Sequence, residues 1–182
     1  KTGAVLVHES RYRKDFELIH TSTFGKDGFS SLIALKVLEM LEADDGLAYR
    51  LAKERGAKAK AMLNAVWADF PDVVKDVRGA GLMLGFEFHD QSKADSADIR
   101  NWLDSDALAY VIGGYLLRKH NIRIFSTASS LNTVRFEPSI YLTDAEIDQF
   151  DTALRDVCTI LRDQDANRFV ISENGTSLIG PL

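Results

Sequence analysis

The 182-residue sequence contains one cysteine, three prolines and no apolar run near the roughly 20 residues a membrane span needs. A single cysteine closes no internal disulfide, so Cys158 is expected to pack in the core and the chain to suit a reducing, cytoplasmic setting. The first residues lack the charged-then-apolar order of a signal peptide. Its 22 Lys and Arg are outnumbered by 27 Asp and Glu and do not cluster, which excludes a general phosphate-neutralising surface. Neither nucleic acid nor membrane is therefore expected as a partner. The four histidines, His8, His20, His89 and His120, have no metal-ligand spacing, and no metal site is expected. GxSxG, HExxH and P-loop patterns are also missing, so no unaided catalytic site is visible.

What is present is an ordinary globular composition, 46% hydrophobic and 27% charged, with helical and strand periods that alternate. Gly3 to Glu9 (GAVLVHE) reads as a buried strand already under way, and with no initiator methionine the sequence reads as the continuation of something longer. From Phe29 the apolar positions keep helical spacing to Leu41 and halt at EADDGL. A second long helix fits Leu47 to about Phe70, ended by Pro71. Val73 to Val77 and Leu82 to Phe88 read as strands joined by RGAG, whose glycines allow a tight link. His89 to Arg100 reads as polar loop, and Ser105 or Asp106 as the cap of a helix running to about His120. Ile122 to Phe125 and Thr133 to Glu137 read as short strands around a flexible STASSLN. Thr143 to Glu146 is a capping box that opens the last helix. After Arg162 no helical period remains. The order implies an α/β fold: a long helix leading into a mostly antiparallel sheet covered by helices.

Two features suggest binding chemistry. The stretch HTSTFGKDGFSS places the hydroxyls of Thr21, Ser22 and Thr23, and amides freed by Gly25 and Gly28, ahead of a helix N-terminus. Such a loop is either an anion site, most naturally for phosphate, or a capping turn. In TVRFEP the alternation puts Val134 and Phe136 on one strand face and Arg135 on the other with Thr133 and Glu137. Arg135 can either clamp a ligand carboxylate or pair with Glu137. Arg78 and Arg123 compete for the same role, although Arg78, followed by a glycine, reads as holding the turn.

Taken in order, HTSTFG, VRGAGLMLGFEF and NTVRFEPSIYLTDAEID make residues 1 to 162 resemble the C-terminal third of class III aminotransferases. The resemblance implies the small domain of a fold type I enzyme that uses pyridoxal 5'-phosphate. It divides the chain into residues 1–28, the end of the large cofactor-binding domain, 29–162, the small domain with its entry helix, and 163–182, an extended tail or linker. It implies that Thr23, with Ser22 beside it, reaches the cofactor phosphate of a partner subunit in a homodimer, and that Arg135 binds the substrate carboxylate. A small-molecule amino donor and a carbonyl acceptor are the expected substrates. Arg78 falls in a structural entry to the sheet and receives no catalytic role.

The pattern is not matched throughout. Gly25-Lys26-Asp27-Gly28 stands where the family has G-G-N-P, resembling a subgroup associated with lipid and polyketide assembly, and Ser139 replaces the second proline of the arginine motif. By the resemblance the Schiff-base lysine falls upstream of Lys1, so this chain is expected to hold no catalytic residue and to be inactive alone. Two alternatives remain at this stage: a noncatalytic dimerisation or docking module of a multidomain synthase, and a same-fold aminomutase or epimerase.

Overall fold

The computed structural model describes residue 3 and residues 5–16, 27–127 and 129–170. The chain forms two compact units, Lys1–Tyr49 and Arg50–Leu182. Among the described residues no helix is long and apolar enough to cross a membrane.

In the first unit the strand expected at Gly3 to Glu9 is not formed. A strand exists through its hydrogen-bonded ladder, and the described residues of the segment have no partner strand; Val5 and Leu6 are 89% and 92% exposed. Glu9–Arg11 is a 3-10 turn instead, begun by His8, whose Nδ1 accepts from the Ser10 N–H at 3.2 Å.

Helix α1 is assigned over Gly28–Asp69, but Ala43 is extended (ψ 159°) and Asp44, Asp45 and Gly46 have φ of 52°, 56° and 69°. These are left-handed conformations that Asp and Gly enter at least cost. The acidic, glycine-containing EADDGL therefore interrupts the helix where its apolar period stops. The C-terminal part of α1 lies in the second unit and buries Gly56, Ala59, Leu63 and Val66. It ends before Pro71, with the Phe70 N–H still bonded to the Val66 carbonyl at 2.9 Å.

The second unit is built on a four-stranded sheet of order β1-β2-β4-β3, with β1 at Val74–Ala80, β2 at Met83–Phe88, β3 at Phe125–Thr127 and β4 at Ser130–Phe136. All three pairings are antiparallel. The β1–β2 hairpin closes through Gly81 and Leu82, and Gly81 has φ of 55°, which suits glycine at this position. The inner face carries Val77, Leu84, Phe86, Phe88, Val134 and Phe136, all buried. They share one core with α1, with α3 (Leu108–His120) and with α4 (Asp144–Asp163). Within it Phe86 and Phe88 meet edge to face at 5.3 Å, and Phe136 stacks on Phe150 at 4.8 Å. This is the expected α/β architecture of a long helix and an antiparallel sheet with helices.

The capping box of α4 is present: the Glu146 N–H donates to Thr143 Oγ1 at 3.2 Å and the Thr143 N–H to Glu146 Oε2 at 2.7 Å. Cys158 is fully buried in α4, and burial pushes its thiol up to about 12.

Four further expectations need correction. The loop read over His89 to Arg100 ends earlier, because α2 occupies Ala97–Asp104 with Ser96 as its cap. Ser105 and Asp106 do not cap α3; Ser105 ends α2, Asp106 has φ of 58°, and α3 starts after Ala107 without a side-chain cap. The STASSLN segment is largely a closed hairpin, in which Thr127 Oγ1 donates to the Ser130 carbonyl at 2.7 Å and accepts from its N–H at 3.0 Å. Beyond Arg162, Asn167–Val170 forms one further helical turn, α5, whose Phe169 is fully buried against Tyr115 and Trp102.

Candidate functional site

The outer face of the sheet collects the polar strand residues that alternation keeps out of the core. Arg78 on β1 donates to Asp76 at 2.9 Å, to Thr133 Oγ1 at 3.0 Å, and to Glu87. Glu87 also accepts from Lys75 at 2.6 Å. Thr133 is a buried polar residue, and its hydroxyl pairs with Ser130 Oγ at 2.7 Å. Arg78 is thus committed to binding β1, β2 and β4 together, in keeping with a structural role.

The Lys75 hydrogen bond, joined by Arg78, holds the Glu87 carboxyl below the usual 4.5 against the opposing effect of burial. A lowered folded-state value means stabilisation that is complete above the ordinary glutamate range and lost as pH falls through the folded value. Glu87→Gln is expected to lower stability at pH 7 while flattening its loss between about pH 5 and 3. Urea unfolding midpoints across that range check this. An unchanged acid limb would show that Glu87 does not contribute to it.

Arg135 lies on the same outer face, between Gly85 of β2 and Phe125 of β3, with Val134 and Phe136 buried behind it as the alternation requires. Its side chain is about half exposed, and its Nη1 sits 3.7 Å from Glu137 Oε2, which is too long for a good hydrogen bond. Arg135 therefore makes a loose ion pair with Glu137, which leaves guanidinium donors to spare.

At the end of β4 a cleft of about 310 Å³ opens, lined by Arg123, Phe125, Arg135, Glu137, Glu146 and Gln149 among others. Arg123 precedes β3 by two residues, and its guanidinium carbon lies 5.1 Å from the Phe125 ring centroid. Ser139, where the resemblance leads to proline, accepts the Tyr141 N–H on its hydroxyl at 3.2 Å, and its carbonyl accepts the Leu142 N–H at 3.1 Å. These bonds shape the turn that leads away from the cleft. Sequence reasoning found Arg135 by alternation. It missed Phe125, although the R-x-F spacing of Arg123 and Phe125 already placed the two on one side of an extended chain.

Ser22 and Thr23 lie outside the described residues. The helix start next to them does carry a cap. The Asp27 carboxylate accepts from the Ser30 N–H at 2.7 Å, and the Asp27 carbonyl accepts from Ser31 Oγ at 2.7 Å. These bonds from Ser30 hold the Asp27 carboxyl below its ordinary value. A carboxylate thus occupies the N-terminus of α1, so any anion held by the preceding loop must rely on other donors than this helix end.

A model of the family "Aminotransferase class-III" matches residues 3–158. An aminotransferase from Serratia sp. is 31% identical and aligns over 78% of this chain and 20% of its own length. Acetylornithine aminotransferase from Nostoc sp. is 30% identical, with 75% and 27% covered. L-lysine-epsilon aminotransferase from Mycobacterium tuberculosis is 31% identical, with 77% and 27% covered. Among solved structures, lysine aminotransferase from M. tuberculosis superposes with a TM-score of 0.52 at 27% identity, covering 69% of this chain and 24% of that one. An omega-transaminase from Thermomicrobium roseum shares the fold at 20% identity, with a TM-score of 0.56, covering 79% and 29%. The chain spans between 20% and 27% of the length of these curated relatives.

Proposed function

The chain belongs to the class III aminotransferases, and from that premise we propose that it supplies the carboxylate-recognising part of a transaminase acting on a small-molecule amino donor and a carbonyl acceptor. The observation that carries this reading is Arg135: a half-exposed strand guanidinium, loosely paired, opening on a cleft. Arg78 is tied into the sheet, and Val134 and Phe136 on the face behind Arg135 are buried in the core. An arginine so placed holds a planar carboxylate by two parallel hydrogen bonds while the strand fixes its direction.

Pyridoxal phosphate, the cofactor implied by the family, supplies the electron sink for transamination when bound. The residues of the cleft do not fit that group. They include two arginines and no lysine, so they suit the acid end of a substrate and offer no covalent anchor for the cofactor aldehyde. We assign the phosphate contact to Thr23 and Ser22 on the resemblance alone. In this reading residues 29–162 form the small domain, the lysine is contributed by sequence outside these 182 residues, the chain by itself does not transaminate, and the complete enzyme is a homodimer.

Arg135→Gln in the complete enzyme is expected to lower kcat/KM about 100-fold for a carboxylate-bearing amino donor, which is the loss of roughly two charge-assisted hydrogen bonds. An amine donor without a carboxylate should retain its kcat/KM. Steady-state kinetics with a matched donor pair make the comparison. Equal loss on both donors would mean that Arg135 shapes the fold rather than recognises the acid.

A further inference from the structure

We propose that residues 165–170 form a strap that opens as a unit while the rest of the second unit stays folded, held shut by Arg168 and Phe169 seated among α2, α3 and α4. The segment lies past residue 158, where the match to the family model stops. At the end of α4 the chain turns on Gln164, whose φ of 59° lies in the left-handed region that a residue with a Cβ enters only at a cost. Phe169 is fully buried, its ring centroid 5.3 Å from that of Tyr115 on α3 and 6.1 Å from that of Trp102 on α2. Arg168 donates to Asp156 of α4 at 2.9 Å, and its Nη1 lies 3.6 Å from Asp163. Ala166 is buried and Val170 partly so.

Side chains rather than backbone hold this segment. The Arg168 N–H donates to the Asp165 carbonyl and the Phe169 N–H to the Ala166 carbonyl, both at 3.1 Å and both inside it, while the Asp165 N–H reaches back to Ile160 of α4 at 3.3 Å. Among the described residues no backbone hydrogen bond ties the segment to α2, α3 or the sheet. Lifting it away therefore breaks no ladder; the cost is chiefly one buried aromatic ring and one partly exposed ion pair. An element with so few ties belongs to the low end of the local stabilities within a fold. Opening also acts on α2. That helix buries only Ile99, and with Phe169 withdrawn its Trp102 loses an aromatic partner. The strap thus sets how firmly α2 is held to the domain.

Thiol labelling of the 182-residue chain tests the proposal. Cys158 is the one cysteine and is fully buried in α4, so it reports unfolding of the domain body. Ala166→Cys adds a small thiol to the strap. With labelling slow relative to closing, the introduced thiol should react roughly 100-fold or more faster than Cys158, at a rate that stays flat up to about 1 M urea, because a local opening exposes little surface; the Cys158 rate should rise steeply. Arg168→Gln should speed the introduced thiol about tenfold, the worth of one charge-assisted hydrogen bond, and keep its rate flat in urea. Amide hydrogen exchange at Phe169 in the unsubstituted chain, compared with amides in the middle of α4, repeats the measurement without the added side chain and decides where the two differ. Equal rates and equal urea slopes for strap and α4 would overturn the proposal. So would a strap that exchanges as fast as an unfolded peptide, or an introduced thiol indifferent to Arg168→Gln.

Discussion

Gly56→Val is expected to lower the stability of the second unit by about 3 kcal/mol or more, which for a unit of this size is a fall in Tm on the order of 10 °C. The reason lies in how α1 meets the β1–β2 hairpin. A Cβ built on Gly56 would stand 2.3 Å from both the carbonyl carbon and the oxygen of Gly81 and 2.6 Å from its Cα. All three are backbone atoms in the loop of a hairpin, so the overlap cannot be relieved by a side-chain rotation. Helix and hairpin must move apart. Separation would loosen Ala59 and Leu63 on the helix and Leu82 beside the loop, all buried at present, and would pull on the bond from Lys60 Nζ to the Gly79 carbonyl at 2.9 Å. A branched side chain adds helix crowding to the same clash.

Gly28→Ala provides the control, since nothing lies within 4 Å of the Cβ it would add. Gly28 opens α1, and alanine at the first position of a helix is expected to be neutral to slightly stabilising. Thermal unfolding of the two variants beside the wild type separates the effects. A Gly56→Val protein that melts within a few degrees of wild type would show that the helix and hairpin do not touch as described.

Gly56 also shows where the sequence stops being informative. Within a helical period it is one more tolerated glycine, and nothing in its neighbours says that a hairpin loop 25 positions away will rest on it. The strands, by contrast, were legible because alternation is local: Val134, Arg135 and Phe136 divide between two faces whatever the sheet around them does. The interruption of α1 was legible for the same reason, since Asp44, Asp45 and Gly46 lower the cost of left-handed backbone where they stand. Helix α2 was not, because eight residues that bury only Ile99 carry too little period to separate them from a polar loop. Nor was the commitment of Arg78, which depends on Glu87 and Thr133 arriving from two other strands. The candidate site divides along this line. Arg135 follows from its own strand, whereas the pairing of Phe125 with it, and the cleft that both share with Arg123, exist only after the sheet has formed.

Asp156→Ala is expected to cost about 3 kcal/mol, the cost of leaving buried partners of a charge without it. Asp156 projects from α4 into a junction of three helices. Its carboxylate accepts from the Tyr115 hydroxyl at 2.5 Å and lies 3.1 Å from His120 Nε2, both on α3, and it accepts from Arg168 of α5 at 2.9 Å. Burial alone would raise its carboxyl. The hydrogen bonds from Tyr115 and His120 and the charges of Lys119 and Arg168 outweigh that effect and hold it below the ordinary aspartate value. The contribution is therefore complete above the usual carboxylate range and disappears as pH falls through the folded value. Tyr115 is almost fully buried, and its ring also packs edge to face on Phe169 at 5.3 Å. Loss of the carboxylate therefore both takes an acceptor from a buried hydroxyl and loosens the turn that carries Phe169. Urea unfolding of Asp156→Ala, Arg168→Gln and the double variant measures the coupling. The two changes should be strongly non-additive, because the second removes a partner the first has already lost. Simple addition of the two single effects would place Arg168 outside the network and leave Phe169 alone to dock α5.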